Sequence, residues 1–221
     1  MSRYAGHVTS GGPSEVRELR DLVVRKCSVG EYDNNAYLLT CRATGEQLLV
    51  DAAADLPRLR AFVGEGTGGL GQIVTTHRHP DHVRALRDLA QWSGATTAAG
   101  AADAEALPLA PDRRLADGDL ITLGAVGLTV IELRGHTEGG VALAYADPAG
   151  FHHVFTGDSL FPGGVGNTKM PGQSFEQLYA DVTSRIFDFF DDQTWIYPGH
   201  GDDTTLGAER PHLAEWLARG W

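Results

Sequence analysis

Positive charge is scarce in this chain: 18 Lys and Arg stand against 29 Asp and Glu in 221 residues, giving a net charge of −11 and a pI near 5.2. That balance argues against a nucleic-acid surface, which needs basic stripes to neutralise phosphate. It also disfavours anionic substrates, except where a local Arg, Lys or metal ion reverses the field. Long apolar runs are missing too. No stretch approaches the ~20 residues of a membrane helix, so no membrane partner is expected. Met1 to Pro13 is rich in Ser and Gly without an apolar segment, so it does not read as a signal peptide and the expected location is the cytoplasm. Cysteine is limited to Cys27 and Cys41, both in apolar, strand-like stretches and neither with a zinc-type partner nearby. They read as buried free thiols, in keeping with a reducing compartment. The glycine-rich run from Gly64 to Gly71 lacks the Lys-Ser/Thr pair of a phosphate-binding loop and does not lead from strand into helix, so it reads as a connector. No internal repeat is evident.

What is present is an ordinary globular composition, 42% hydrophobic and 21% charged, in a chain long enough to bury a sizeable core. The expected organisation is a flexible N-terminal arm over 1–15 and a single α/β domain over 16–221. Strands are expected from Leu19 to Val29, Ala36 to Leu39, Gln47 to Val50, Gln72 to Val74, Ala95 to Ala98, Leu120 to Leu123, Leu128 to Leu133, Val141 to Tyr145, Phe151 to Thr156 and Thr194 to Tyr197. Asp33-Asn34-Asn35 reads as a turn. Leu56, Leu59 and Val63 repeat at helical spacing, as do Val83, Leu86, Leu89 and Ala90. Ser174-x-x-Gln177 is a capping-box start, followed by an apolar stripe through Phe175, Leu178, Tyr179, Val182, Ile186 and Phe189. Pro211 opens a final helix to about Arg219. Two packed sheets with helices outside fit this order.

Chemistry concentrates in Thr75-Thr76-His77-Arg78-His79-Pro80-Asp81-His82, at a strand-to-helix turn where α/β sheets place their sites. Three imidazoles and a carboxylate within six residues make a poor core but a good shell for a divalent metal, because neutral His nitrogen and Asp oxygen are ordinary zinc and iron ligands. Both rings of His77-x-His79 can reach one ion from an extended turn. Asp81 and His82, at the helix start, point elsewhere and suit a second ion. Three further candidates follow strands: His136, Asp158 and His200, each directly preceded by a glycine that lets the backbone turn tightly. Five of the nine histidines fall in these motifs. His152 and His153 lie on opposite faces of a strand, which speaks against a joint metal role. His7 reads as a solvated residue.

Taken together, His77-x-His79-x-Asp81-His82, Gly135-His136-Thr137, Thr156-Gly157-Asp158 and Pro198-Gly199-His200-Gly201 resemble the metallo-β-lactamase superfamily. Within it, the pattern is most similar to the glyoxalase II (hydroxyacylglutathione hydrolase) group, from about Leu19 to the final helix. The resemblance implies a four-layer αβ/βα sandwich with the site along one edge. It implies one metal on His77, His79 and His136, a second on Asp81, His82 and His200, and Asp158 bridging. Asp81 and Asp158 would then be catalytic carboxylates as well as ligands. Two divalent ions are implied, zinc first, with iron or manganese as alternatives. An Asp at 158, which true β-lactamases of the superfamily lack, and a His rather than Glu at 79, which separates the chain from flavo-diiron proteins, narrow the choice. Two departures concern glutathione. The group's Gly-x-Gly-Arg run is here Gly164-Val165-Gly166-Asn167, and only 21 residues follow His200 where the group often has a helical domain. Lys169 and Arg134 are the nearest cationic candidates for substrate.

Such a pair of ions lowers the pKa of a shared water and polarises a carbonyl. No Ser or Cys nucleophile stands in these motifs and no separate general acid is evident. A thiolate leaves without much help, its thiol pKa being about 8.5, so the expected reaction is thioester hydrolysis on a small molecule. Other readings of the same ligands are a persulfide dioxygenase with one iron on a central-motif His, His136 and Asp158, a lactone or ester hydrolase, and a non-enzymatic metal-binding module.

Overall fold

Most apolar runs of this chain become strands buried on both faces, which is why they read as continuous rather than alternating. The computed structural model describes residues 4–221. Its first half contains β1 (Glu15–Glu18), β2 (Leu22–Val29), β3 (Asn34–Cys41), β4 (Gln47–Val50), α1 (Leu56–Gly64), β5 (Gln72–Thr75), α2 (Leu86–Ser93), β6 (Thr96–Gly100) and β7 (Arg113–Leu115). The strands form one seven-stranded sheet in sequence order, antiparallel from β1 to β4 and parallel from β4 to β7. The second half contains β8 (Leu120–Leu123), β9 (Val126–Glu132), β10 (Val141–Asp147), β11 (Phe151–Gly157), β12 (Leu160–Phe161), β13 (Gly164–Val165), α3 (Phe175–Val182), β14 (Trp195–Pro198), β15 (Thr204–Thr205), α4 (Leu206–Glu209) and α5 (Leu213–Arg219). Its main sheet has the order β15-β14-β11-β10-β9-β8, with β11 and β14 parallel and β12–β13 a separate hairpin.

Alternation within each strand divides the apolar residues among three layers. Tyr37, Leu39, Leu48, Val50 and Val74 of the first sheet meet Leu123, Val130, Leu143, Phe155 and Tyr197 of the second in the central core. Leu38, Leu49 and Ile73 turn outward and are covered by Leu59, Phe62, Leu86 and Leu89 of α1 and α2. On the far side, Ala142, Val154 and Ile196 are covered by Leu178, Val182, Ile186, Leu206 and Trp216. Each such large side chain withdrawn from water contributes roughly 1.5–3 kcal/mol. The result is the expected αβ/βα sandwich. Cys27 and Cys41 are both buried and free.

Local signals set the helix ends. Asp55 caps α1 by accepting from the Arg58 amide at 3.2 Å. Ser174 caps α3 by accepting from the Gln177 amide at 3.2 Å. The stripe beyond α3 departs from expectation at its end. A π turn over Thr183–Phe187, closed by the Asp188 amide on the Thr183 carbonyl at 2.9 Å, inserts one residue into the helical repeat. Ile186 stays in the core, but Phe189 is rotated out and is 77% exposed.

Other boundaries also differ. β1 was not evident from sequence because it is a short edge strand with alternating, mostly polar side chains, and β7 because two of its three residues are exposed arginines. Asn34 and Asn35 belong to β3, the turn being made by Asp33 at φ 52°. The C-terminal helical segment begins earlier, at Leu206, and continues through a 3₁₀ turn into α5. Of the arm expected over 1–15, residues 1–3 lie outside the described residues. Tyr4 packs beside Trp195 and Tyr197, Val8 is buried, and His7 is exposed against Asp202.

Candidate metal centre

Four loops at one edge of the sandwich carry the predicted ligands. The β5–α2 turn supplies His77, His79, Asp81 and His82, with Pro80 opening a 3₁₀ turn over Pro80–His82 as its fixed φ allows. The β9–β10 loop supplies His136, the β11–β12 turn Asp158, and the β14–β15 loop His200. Crowding dictates the neighbouring glycines. A β-carbon on Gly135, whose φ is +121°, would meet the Leu178 amide and the Ser174 carbonyl, and one on Gly199 would overlap Asp158 Oδ1.

The side chains converge in three overlapping sets: His77, His79 and His136; His77, His82 and Asp158; and Asp81, His82 and His200, with donor atoms in each set within 4.8 Å of one another. Asp158 sits between the outer two. Its Oδ2 is 3.6 Å from His136 Nε2, 4.0 Å from His77 Nε2 and 3.3 Å from His200 Nε2, while Oδ1 is 3.3 Å from His82 Nε2. Asp81 Oδ2 lies 3.4 Å from His200 Nε2 and 3.6 Å from His82 Nε2.

Partners on the far ring nitrogens fix how these imidazoles present themselves. His136 Nδ1 donates to the Asn167 carbonyl at 2.7 Å, and His200 Nδ1 to the Tyr32 carbonyl at 2.6 Å. His82 Nδ1 donates to Asp51 Oδ2 at 2.8 Å. The Thr76 hydroxyl donates to the same Asp51 oxygen at 2.8 Å and so accepts from His77 Nδ1 at 3.0 Å. A carbonyl or carboxylate can only accept, so each of these Nδ1 atoms carries a proton and each Nε2 faces the cluster.

That arrangement fits a cation. Nε2 of His77 and of His136, and Oδ1 of Asp158, are buried without a hydrogen-bond partner. Orphaned buried polar atoms of this kind are rare and costly unless an ion or water satisfies them. His82 and His200 set Nε2 against Nε2 at 3.1 Å, where two neutral rings would oppose their lone pairs. The electrostatics agree. Burial, with His82 next, holds His77 well below the usual imidazole range, and burial likewise lowers His79 and His136. Burial would also depress His82 and raise Asp158, but their mutual attraction prevails, so His82 is raised and Asp158 stays ionised. The His200 hydrogen bond is the largest influence keeping Asp81 ionised. His200, despite burial, is pushed up to about 10 by Asp158 and Asp81. Ionised Asp81 and Asp158, the neutral imidazoles of His77, His79 and His136, and His82 and His200, whose second protons a cation would displace, together make an acidic, nitrogen-rich cage suited to zinc or iron.

Several residues around the cage were not singled out by sequence reasoning. Asp51 is one; its only sequence signal is a carboxylate at the end of a strand. Asn34 holds Asp81 through an amide donor at 2.9 Å. Asp103 accepts from the amides of Arg78 and Gly139 at 2.9 Å each, tying together the loops of His77 and His136. Of the two cationic candidates, Arg134 turns away: its guanidinium pairs with Asp181 of α3 at 3.1 and 3.3 Å. Lys169 is exposed two residues beyond Asn167. His152 and His153 lie outside the three sets, His153 buried against the Tyr197 hydroxyl at 3.0 Å and His152 beside Phe190.

The family model of the metallo-beta-lactamase superfamily matches residues 29–200. A hydroxyacylglutathione hydrolase from Cereibacter sphaeroides is 42% identical over 134 residues, covering 61% of this chain and 51% of that protein. The chain thus spans about half the length of the curated relatives it matches first. An uncharacterised protein of Mycobacterium leprae is 31% identical over 201 residues, covering 80% of this chain and 90% of its own. Among solved structures, ETHE1 from Myxococcus xanthus superposes with a TM-score of 0.76 at 27% identity, over 86% of this chain and 82% of that one. TTHA1623, solved in a di-iron-bound form, does so at 0.71 and 31% identity, over 83% and 95%. No helix among the described residues is long and apolar enough to cross a membrane.

Proposed function

The chain belongs to the metallo-beta-lactamase superfamily, and on that premise we propose that it is a dinuclear metallohydrolase that cleaves thioesters of small acyl groups. His77, His79 and His136 would hold one ion, Asp81, His82 and His200 the other, and Asp158 would bridge them. Zinc is the first candidate for both, with iron next. When bound, such ions lower the pKa of a water between them towards neutrality and polarise a carbonyl.

The remaining work falls to the chain. Asp158, facing His77 and His136 with one oxygen and His82 with the other, keeps the two ligand groups at a fixed separation. Asp51 orients His82 directly and His77 through Thr76. Asp81, kept ionised by His200 and anchored by Asn34, presents a fixed anionic oxygen that can accept a hydrogen bond from an attacking water. Arg134 supplies no acid to a leaving group, because it is tied to Asp181 and a guanidinium does not give up its proton. That favours a leaving group that departs as an anion, as a thiolate does with a parent pKa of about 8.5. The observation that carries the reading is the orphaned set His77 Nε2, His136 Nε2 and Asp158 Oδ1. The similarity to hydroxyacylglutathione hydrolases supports the thioester.

Metal analysis of protein purified without added metal, followed by assay on a thioester and lactone panel, tests it. About two ions per chain and thiol release from a thioester are expected. About one iron per chain, with oxygen uptake on a persulfide and no thiol release, would replace this reading with a dioxygenase.

A further inference from the structure

One buried cation plays no part in the centre just described. Lys26, at an inward position of β2, is fully buried and forms an ion pair at 2.6 Å with Asp203, itself fully buried. Its ammonium has three donors and uses all of them, on Asp203 Oδ1, on the Gly6 carbonyl at 2.8 Å and on the Gly201 carbonyl at 2.7 Å. Asp203 is equally committed. Its Oδ2 accepts from the Tyr4 hydroxyl at 2.7 Å and the Trp195 indole at 2.9 Å, and its amide donates to the Gly6 carbonyl at 3.0 Å.

These contacts enclose the loop that carries His200. The loop is gripped on its other side by β3, where Asn35 donates to the carbonyls of Pro198 and Gly201 at 2.9 Å each and the Tyr37 hydroxyl to Pro198 at 2.7 Å. The grip begins next to His200, at Gly201. Of the two outer ligand sets, only Asp81–His82–His200 draws a member from this loop; His77, His79 and His136 come from others. A buried ion pair is a poor way to gain stability, because desolvating two charges offsets most of their attraction. What its directional bonds supply is a fixed loop geometry.

We propose that the buried Lys26–Asp203 pair, joined by Tyr4 and Gly6 of the N-terminal lead-in, is the positioning device for His200, and so sets cation affinity at the Asp81–His82–His200 site while leaving the His77–His79–His136 site alone. The inference rests on the dinuclear reading. It gives residues 4–6, remote in sequence from every ligand, a role in the loading of one metal site.

The test is calorimetric titration of chelator-stripped protein with zinc chloride. Removing Lys26 alone would strand a buried carboxylate, so the first variant is the double replacement Lys26→Met with Asp203→Asn, which removes both charges. The second is Tyr4→Phe, which deletes one donor and preserves the ring packing against Trp195. A His200→Ala control identifies the ion held by that set. In the double variant, that ion should bind more weakly by about 10-fold or more, the scale of an outer-contact loss, and the other by less than about 3-fold. Tyr4→Phe should weaken the same ion by a smaller factor. With Co2+ as probe, the visible absorption of that equivalent should shift and the other should not. Should the double variant fail to fold, the Tyr4→Phe titration decides. Equal affinities in wild type and variant overturn the proposal, as does a parallel loss at both sites. A wild-type protein that takes up a single ion overturns the dinuclear reading and the proposal with it, an outcome visible before any variant is made.

Discussion

His82 Nδ1 lies 2.8 Å from Asp51 Oδ2, and the same carboxylate oxygen takes the Thr76 hydroxyl at 2.8 Å. Its Oδ1 takes the Thr76 amide at 2.7 Å. One buried side chain therefore aims a ligand of each proposed ion. Replacing it with alanine frees both rings, and groups that orient metal ligands typically cost 10–100-fold in metal affinity when removed. Asp51→Ala should lose affinity for both ions by about that factor. Chelator competition measures it, and unchanged affinity for either ion would contradict the relay through Thr76.

Asp158 is placed to face both ligand groups at once. Asp158→Ala should therefore cost more than any single orienting residue, lowering thioester turnover by more than about 100-fold. A rate near that of the wild type would remove Asp158 from the mechanism.

Arg134 and Lys169 are separable by kinetics. Arg134 is bound to Asp181, so Arg134→Ala should leave KM within about 2-fold and cost about 1 kcal/mol of stability, the scale of a part-exposed ion pair. Lys169 is exposed; if it meets the acidic part of a substrate, Lys169→Ala should raise KM with kcat unchanged. The opposite pattern would return Arg134 to the substrate.

His153 gives a pH signature distant from the ligands. Burial, helped by Arg17, lowers it to about 4. A depressed imidazole pKa means that the unfolded chain takes up a proton between about pH 6.5 and 4 while the folded chain does not, so stability is full above that window and lost as pH falls through it. The span corresponds to about 3 kcal/mol at most. Urea unfolding with chelator present, at pH 7.5 and pH 4.5, should show that extra loss in wild type and not in His153→Gln.

Burial also pushes the Cys27 thiol up to about 12. Iodoacetamide at pH 8 should leave Cys27 unmodified in the native protein and label it after unfolding in urea, as peptide mass spectrometry would show.

Much of this was legible in the sequence because metal chemistry uses few residue types. Five histidines and two aspartates in turns that follow strands, three of them directly after a glycine, stand out from a polar background, and the double-sided burial of most strands shows as unbroken apolar runs. The orienting residues did not stand out. Asp51 looks like any carboxylate ending a strand, Asn34 like a turn residue, and Lys26 is one cation in a strand whose partner is 177 positions away. β1 and β7 escaped because edge strands carry polar side chains and show no buried face, and the exposure of Phe189 because one inserted residue in a helical turn leaves no mark in composition.

Each outer ligand set mixes residues from both halves of the chain: His77 and His79 with His136, Asp81 and His82 with His200. The first members follow a strand of one sheet and the last follow a strand of the other. An ion at either position is thus a staple across the seam between the two sheets, a cross-link whose ends lie 57 or more positions apart along the chain. Its release should unzip that seam first, with amide hydrogen exchange quickening in β5 together with β9 and β14 while β2 and β3 keep their protection.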